Sequence, residues 1–363
     1  MNKIFKIKDS VDLYLSGEIL TAYFINTRLQ KRFKVNETVI DILENIDGKS
    51  SINEISLKLL IDENLIENFC YKLLKNKILV EVKENNIILN NNDLLRYDRQ
   101  LNYFAEFTES IEEAFLAQKK LKESKLLIFG AGAVGSNIAI QLVMAGCEDI
   151  TIYDYDNVEH SDITRHLYFN ESHIGYSKLD SLKIELLNIN KNAKISLIND
   201  FMAPQNEIKK LISKSTFVIN TLDEPYIGYT SAKISRICTE LRIPHYIGGG
   251  FDAHLASTGE LIIPGITPCV ECYTTYFKET LKNWKPKPHP ISIRYKEIGG
   301  LSSMTLFSAS FASIEIIKFI TGIIQKDAYK TRGELLFKNL GLTYIKLDKN
   351  PNCIICGDIE VNR

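Results

Sequence analysis

The chain is 363 residues long, 45% hydrophobic and 25% charged, the balance of a globular protein of about two domains. Its 44 Lys and Arg offset 45 Asp and Glu, so a chain-wide basic footprint is excluded and no nucleic-acid partner is expected. Seven cysteines are too few for a disulfide scaffold, and MNKIFKIKDSVDLYL has no apolar signal core, so the expected location is the reducing cytoplasm.

From the N-terminus, Ile4–Ile7 and Val11–Leu15 read as strands, and Ala22 to Phe33 holds a further β-type run. Apolar residues at 39, 40, 42 and 43 have helical spacing, and Ile52–Leu60 and Leu65–Leu74 give two more helices. Lys77–Val82 and Asn86–Leu89 read as a final β-wing. A small sheet with three helices predicts a winged-helix-like α+β domain over residues 1–92. The run LYLSGEILTAYFINTRLQKRFKVNETVIDILENIDGKSSINEIS resembles PqqD-like leader-peptide recognition domains. That resemblance implies a module that holds a precursor peptide as an added strand along a sheet edge and against a helix. A generic, DNA-binding winged helix is the alternative.

Residues 93–363 read as one α/β domain. A helix containing RYDRQ precedes strands at Leu126–Phe129, Ile150–Tyr153, Ile195–Ile198, Phe217–Asn220, His245–Gly248 and Gly259–Ile263. Strands alternating with helical segments predict a Rossmann-like, mostly parallel sheet. Lys125 to Cys147 and Ser302 to Gln325 are apolar enough to be mistaken for membrane spans. The first is broken by a glycine cluster and the second carries Glu315 and Lys318, so no membrane contact is expected.

Gly130-Ala-Gly132-Ala-Val-Gly135 follows an apolar strand and opens a helix, the context a nucleotide-binding turn needs. The first two glycines permit the turn and a close approach of phosphate; the third lets helix and strand pack closely. Asp154 closes the next strand, where a carboxylate can accept ribose hydroxyls. Ser161, Arg165 and Lys178 then supply a hydroxyl and two cations. Hydride transfer does not need them, whereas chemistry at a triphosphate does. Asp223, beyond a further strand, is placed to hold Mg²⁺ beside substrate phosphates. Bland readings accompany each residue: Lys178 on a solvated face, Arg165 in a structural ion pair, Asp223 capping a helix.

RYDRQ, GAGAVG, YDYD, ITRH, GYSK, TLDEP, PCVEC and CIIC occur in the order of the ThiF/MoeB/ubiquitin-activating superfamily, which residues 94 to 357 resemble. With the N-terminal module, the layout resembles MccB-type peptide nucleotidyltransferases of microcin C biosynthesis. The resemblance implies activation of a C-terminal carboxylate by attack on a nucleotide α-phosphate. It places ribose on Asp154, phosphates on Gly130, Gly132 and Gly135, the triphosphate on Arg165 and Lys178, and Mg²⁺ on Asp223. Arg99 would reach the phosphates of the neighbouring subunit in a homodimer, unless it pairs locally with Asp98 or Glu106. Asp162 stands where the superfamily usually has Asn, in the nucleotide-binding stretch with Ser161. An aspartate beside a triphosphate adds repulsion unless Mg²⁺ or a cation offsets it, and with Tyr176 of GYSK, where the family often has Lys, it leaves the base, ATP or CTP, open. The implied partners are a short ribosomal precursor peptide and a nucleoside triphosphate. The alternatives are adenylation of a sulfur-carrier protein, or a catalytically silent leader-peptide adaptor.

Cys269-Val-Glu-Cys272 and Cys353-Ile-Ile-Cys356 can fill a closed, structural tetrahedral Zn²⁺ site, with Gly357 suiting a knuckle turn. Cys70, Cys147 and Cys238 read as small buried hydrophobes. The segment from Tyr273 to Gly300, where ubiquitin-type enzymes carry a thioester cysteine, has none. It is expected to be a mobile loop over the peptide's C-terminus. The six histidines show no metal-ligand spacing, and His166, near the predicted nucleotide site, is the one singled out.

Overall fold

The structure is a computed structural model that describes residues 3–82, 88–252, 255–284, 299–323 and 332–359. Internal contacts divide the chain into two units, Met1–Lys120 with Thr321–Ile324, and Leu121–Ile320 with Gln325–Arg363.

The first unit begins with β1 (Ile4–Ile7), β2 (Val11–Ser16), β3 (Ile19–Phe24) and β4 (Gln30–Lys34). Gly17, at φ +57°, turns β2 back onto β3, and β3 pairs with β4. Three helices follow, α1 (Glu37–Glu44), α2 (Ile52–Leu59) and α3 (Glu63–Lys75). Each starts where its sequence offers a cap: Asn36, Ser51 in a capping box with Glu54, and Asp62. Phe5, Ala22, Ile42, Ile55, Ile66 and Cys70 share the core beneath them. β5 (Leu79–Val82) returns antiparallel to β1. Of the expected second wing strand, residues 86 and 87 lie outside the described residues, and 88 and 89 form a bend. α4 (Asn91–Arg96), α5 (Asp98–Ala105) and α6 (Ile111–Glu123) follow, so residues 93–120 count with this unit. The buried Lys8 ammonium donates to the carbonyls of Ala105, Glu106 and Thr108 at 2.8–3.0 Å, capping the end of α5.

The second unit is built on β6 (Lys125–Phe129), α7 (Ala133–Met144), β7 (Asp149–Asp154), α8 (Lys178–Ile189), β8 (Lys194–Asn199), α9 (Lys209–Ile212), β9 (Phe217–Asn220), α10 (Ile227–Glu240) and β10 (His245–Ile247). Then come β11 (Phe251–Asp252), β12 (Leu255–Ser257), β13 (Glu260–Ile262), α11 (Val270–Thr280), α12 (Ser302–Thr321), β14 (Gly333–Leu336) and β15 (Leu342–Tyr344). The main sheet has the order β13-β10-β9-β6-β7-β8, parallel except for β13. All six strands predicted from the sequence are present. Leu126–Phe129 is apolar throughout because β6 is central and buried on both faces. The chain runs outward from β6 to β8, then returns to β9 and β10 on the other side. The carboxyl end of β6 is therefore the switch point where open α/β sheets bind ligands. β11, β12, β14 and β15 form a separate antiparallel sheet. Among the described residues, one helix, Ser302–Thr321, is long and apolar enough to cross a membrane. Half of its apolar window is buried, and Glu315 pairs with Lys318 on it.

Candidate nucleotide-binding site

The glycine turn leaves β6 at this switch point. Gly130 adopts φ +101°, a conformation open to glycine at little cost. Thr221, just after β9, sits beneath the turn: its N–H donates to Phe129 O at 2.7 Å, and its hydroxyl donates to the same oxygen at 3.0 Å. A Cβ on Gly135 would overlap the Gly130 carbonyl and Thr221 Oγ1, whereas one on Gly132 would meet nothing within 4 Å. The first and third glycines thus build the turn. The second leaves open space at the N-terminus of α7, which has no side-chain cap. Thr221 escaped sequence reasoning because a threonine after a strand carries no motif.

Asp154 ends β7 and is 4% exposed. Its Oδ2 accepts from Ala131 N–H at 2.6 Å, and its Oδ1 from the N–H groups of Tyr155 and Asp156 at 2.7 and 2.8 Å. It therefore anchors the glycine turn to β7. Burial raises its carboxyl above the ordinary range, although these N–H groups oppose the shift.

A 3₁₀ turn over His160–Thr164 carries Asp162 inward, while Ser161 stays exposed. Asp162, with 2% of its side chain exposed, is the anchor of two cations. Oδ1 accepts from Arg165 Nη2 at 2.8 Å, and Oδ2 lies 3.4 Å from Lys178 Nζ and accepts from Glu159 N–H at 3.0 Å. Burial would raise its carboxyl, but the Glu159 N–H and the Lys178, His166 and Arg165 charges hold it below the usual range. Lys178 opens α8 and also meets Asp156 Oδ2 at 3.2 Å; it is buried, which overturns the solvated-face reading. Burial lowers its ammonium, and the carboxylates of Asp162, Asp156 and Asp154 more than offset that. His166 is buried against Asp162 O at 2.9 Å, and burial lowers its imidazole. Asp162 thus screens the positive pair from within; sequence alone showed its charge but not its burial.

Asp223 follows β9 and is exposed; the α10 N-cap is Tyr226, so Asp223 does not cap that helix. The protein around it raises its carboxyl; Glu224 and Asp156 add to the rise and Lys178 opposes it. Arg99 is exposed in the first turn of α5, in the other unit. Residues 285–298 of the expected mobile loop lie outside the described residues.

The four cysteines converge. Sγ–Sγ distances are 3.8 Å for Cys269–Cys272, 3.6 Å for Cys269–Cys353 and 3.5 Å for Cys272–Cys356, and all four sulfurs lie within 4.8 Å of one another. Tetrahedral Zn–S bonds of about 2.3 Å put sulfurs about 3.8 Å apart, so the set fits zinc with no open position. A Cβ on Gly357 would collide with the carbonyls of Pro351 and Cys353, so the knuckle turn requires glycine there. Cys70, Cys147 and Cys238 are buried, as expected.

Residues 97–355 match the ThiF family. The adenylyltransferase and sulfurtransferase MOCS3-1 of Drosophila pseudoobscura pseudoobscura is 28% identical over 278 residues, covering 74% of this chain and 55% of that protein. MOCS3 of Drosophila yakuba is 30% identical over 276 residues, with coverages of 74% and 54%. The chain spans about half the length of these curated relatives. The crystal structure of E. coli MccB with AMPCPP and MccA superposes with a TM-score of 0.72 at 21% identity, covering 98% of this chain and 100% of that one.

Proposed function

The chain belongs to the ThiF family, and from that premise we propose that it is a nucleotidyltransferase that activates the C-terminal carboxylate of a short ribosomal precursor peptide. A carboxylate oxygen bonds to the α-phosphorus of ATP, the bond from that phosphorus to the β-phosphate bridge breaks, and pyrophosphate leaves. The observation that carries this reading is the buried Asp162, which holds Arg165 and Lys178 in the unit where Asp154 anchors the glycine turn. Two preset cations, Lys178 within electrostatic reach of Asp154, answer the charge of a leaving pyrophosphate.

In this reading Gly130, Gly132 and Gly135 admit the phosphates, with Ser161 at their edge and Asp154 toward the ribose. Asp223, an exposed carboxylate with Asp156 and Glu224 in its electrostatic reach, offers the hard oxygen donors that suit Mg²⁺. Bound there, Mg²⁺ would neutralise phosphate charge. Arg99 serves the neighbouring subunit of a homodimer. Residues 1–92 hold the peptide as a PqqD-like module, and the four cysteines hold structural zinc. ATP is the nucleotide assigned; the relatives' names are those of adenylyltransferases and lend CTP no support.

The peptide reading is prompted by the MccB structure, which holds MccA and whose fold matches 98% of this chain. The names of the sulfurtransferase relatives favour the second reading, adenylation of a sulfur-carrier protein. Pyrophosphate release from labelled ATP separates them. Release that requires a short peptide with a free carboxylate supports the first, and release only with a Gly-Gly-terminated carrier transfers the function to the second. Release with neither overturns both.

A further inference from the structure

Two side chains outside the groups assigned above meet at the carboxyl edge of the main sheet. Tyr155 is the first residue after β7, and Glu224 lies in the loop after β9; the Tyr155 hydroxyl donates to Glu224 Oε2. In the sheet order, β6 stands between β7 and β9. The hydrogen bond therefore spans the strand from which the glycine turn departs, linking the loops on its two sides. It begins one residue after Asp154 and ends one residue after Asp223.

The two ends are not equally fixed. Tyr155 N–H donates to Asp154 Oδ1 at 2.7 Å, and its ring meets Phe201, from the loop after β8, edge-on at 5.1 Å and 86°. Tyr155, 37% exposed, is thus tied through its backbone to β7 and through its ring to the loop after β8. Glu224 sits on an exposed stretch, residues 223–228, before the body of α10. Tyr155 can fix that stretch, and with it the Asp223 carboxylate, relative to the loop that carries Asp154.

We infer that Tyr155 and Glu224 are positioning residues: their hydrogen bond sets the Asp223 loop against the Asp154 loop so that both meet one nucleotide. The inference rests on the nucleotide site proposed above. Neither side chain is assigned a contact with the reacting atoms.

The test is equilibrium binding of AMPCPP to the full chain in the presence of Mg²⁺, with ATP kinetics alongside. Tyr155→Phe keeps the ring on Phe201 and removes only the hydroxyl. It should weaken AMPCPP binding about three- to tenfold, the worth of one net hydrogen bond, and raise KM for ATP more than it lowers kcat. Glu224→Ala should reproduce that loss, and the double variant should be no worse than either single one. Glu224→Gln keeps an acceptor and should lie closer to wild type than Glu224→Ala does. Unchanged thermal unfolding would separate positioning from a general loss of stability. Wild-type binding in both Tyr155→Phe and Glu224→Ala overturns the inference, as do additive losses in the double variant. Failure of the wild-type chain itself to bind AMPCPP overturns the nucleotide site, and this inference with it.

Discussion

Asp162 accepts a hydrogen bond from Arg165 Nη2 at 2.8 Å while 2% of its own side chain and 31% of that of Arg165 are exposed. The acid is buried and the base reaches outward, so Asp162 is a fixed anchor and Arg165 the arm it aims. Lys178, 3.4 Å from the other carboxylate oxygen and only 10% exposed, is the second cation it holds.

Asp162→Asn keeps the shape and an acceptor for the Glu159 N–H, but removes the charge. Lys178 retains Asp156 at 3.2 Å, and Arg165 can turn to water. The loss should therefore fall below the full cost of breaking a buried pair, at about 1–3 kcal/mol in denaturant unfolding. ATP should bind at least as tightly, because net positive charge grows, while kcat falls about tenfold because the cations lose their aim. Because folding lowers the Asp162 carboxyl, its stabilisation is present above the ordinary carboxylate range and is lost as pH falls below it. The gap between wild type and variant should accordingly close in acid.

The glycines separate folding from binding. Gly135→Ala forces a Cβ into the Gly130 carbonyl and the Thr221 hydroxyl, so it should lower unfolding stability by about 2 kcal/mol or more and weaken nucleotide binding as well. Gly132→Ala adds a methyl group where no protein atom lies within 4 Å. Its thermal midpoint should match wild type while AMPCPP affinity drops at least about tenfold, because phosphate must approach that backbone. Equal loss of stability in both variants would contradict this division.

What could be read in the sequence depended on spacing. The apolar run of β6 followed by three glycines located the nucleotide turn, and two Cys-x-x-Cys pairs located the sulfur cluster, because both patterns survive without tertiary knowledge. Asp162 read as repulsive toward a triphosphate because a sequence displays charge but not burial. Thr221 was invisible: its role is to fill the space under a turn 91 residues earlier. The Tyr155–Glu224 contact joins residues 69 apart and exists only once the sheet order is known.

The sulfur cluster predicts a metal content. Elemental analysis should find one zinc per chain, and Cys353→Ser should abolish it while leaving the first unit folded. The sulfurs sit in an apolar cluster with Ile247 of β10 and Ile262 of β13, two neighbouring strands of the main sheet. Metal loss should therefore lower the thermal midpoint of the second unit by several degrees, as about 2 kcal/mol or more does in a domain of this size. A metal-free preparation that melts like the zinc-bound chain would refute the structural role.

His245 makes the sharpest prediction about acid. It lies in β10, fully buried, with Nδ1 3.0 Å from Ile243 O and Nε2 2.8 Å from Ser235 Oγ. Both ring nitrogens have partners, so the neutral ring fits the core and needs no catalytic role. Burial lowers its pKa to about 4, and the Ile243 carbonyl only partly resists this. The unfolded chain takes up the proton near pH 6.5, whereas the folded chain resists until about pH 4. The stabilisation is complete above the higher value and is lost progressively as pH falls between the two. Its size is up to about 3 kcal/mol, from about 1.4 kcal/mol per pH unit over that interval. His245→Asn keeps a donor for Ile243 O and removes the titration. That variant will start less stable at pH 7 because it loses the Ser235 contact and some packing, so the slope is the quantity to compare. Between about pH 6.5 and 4, urea unfolding should show wild type losing stability more steeply than His245→Asn. Parallel slopes would mean that His245 titrates alike in both states and is not sealed in the core.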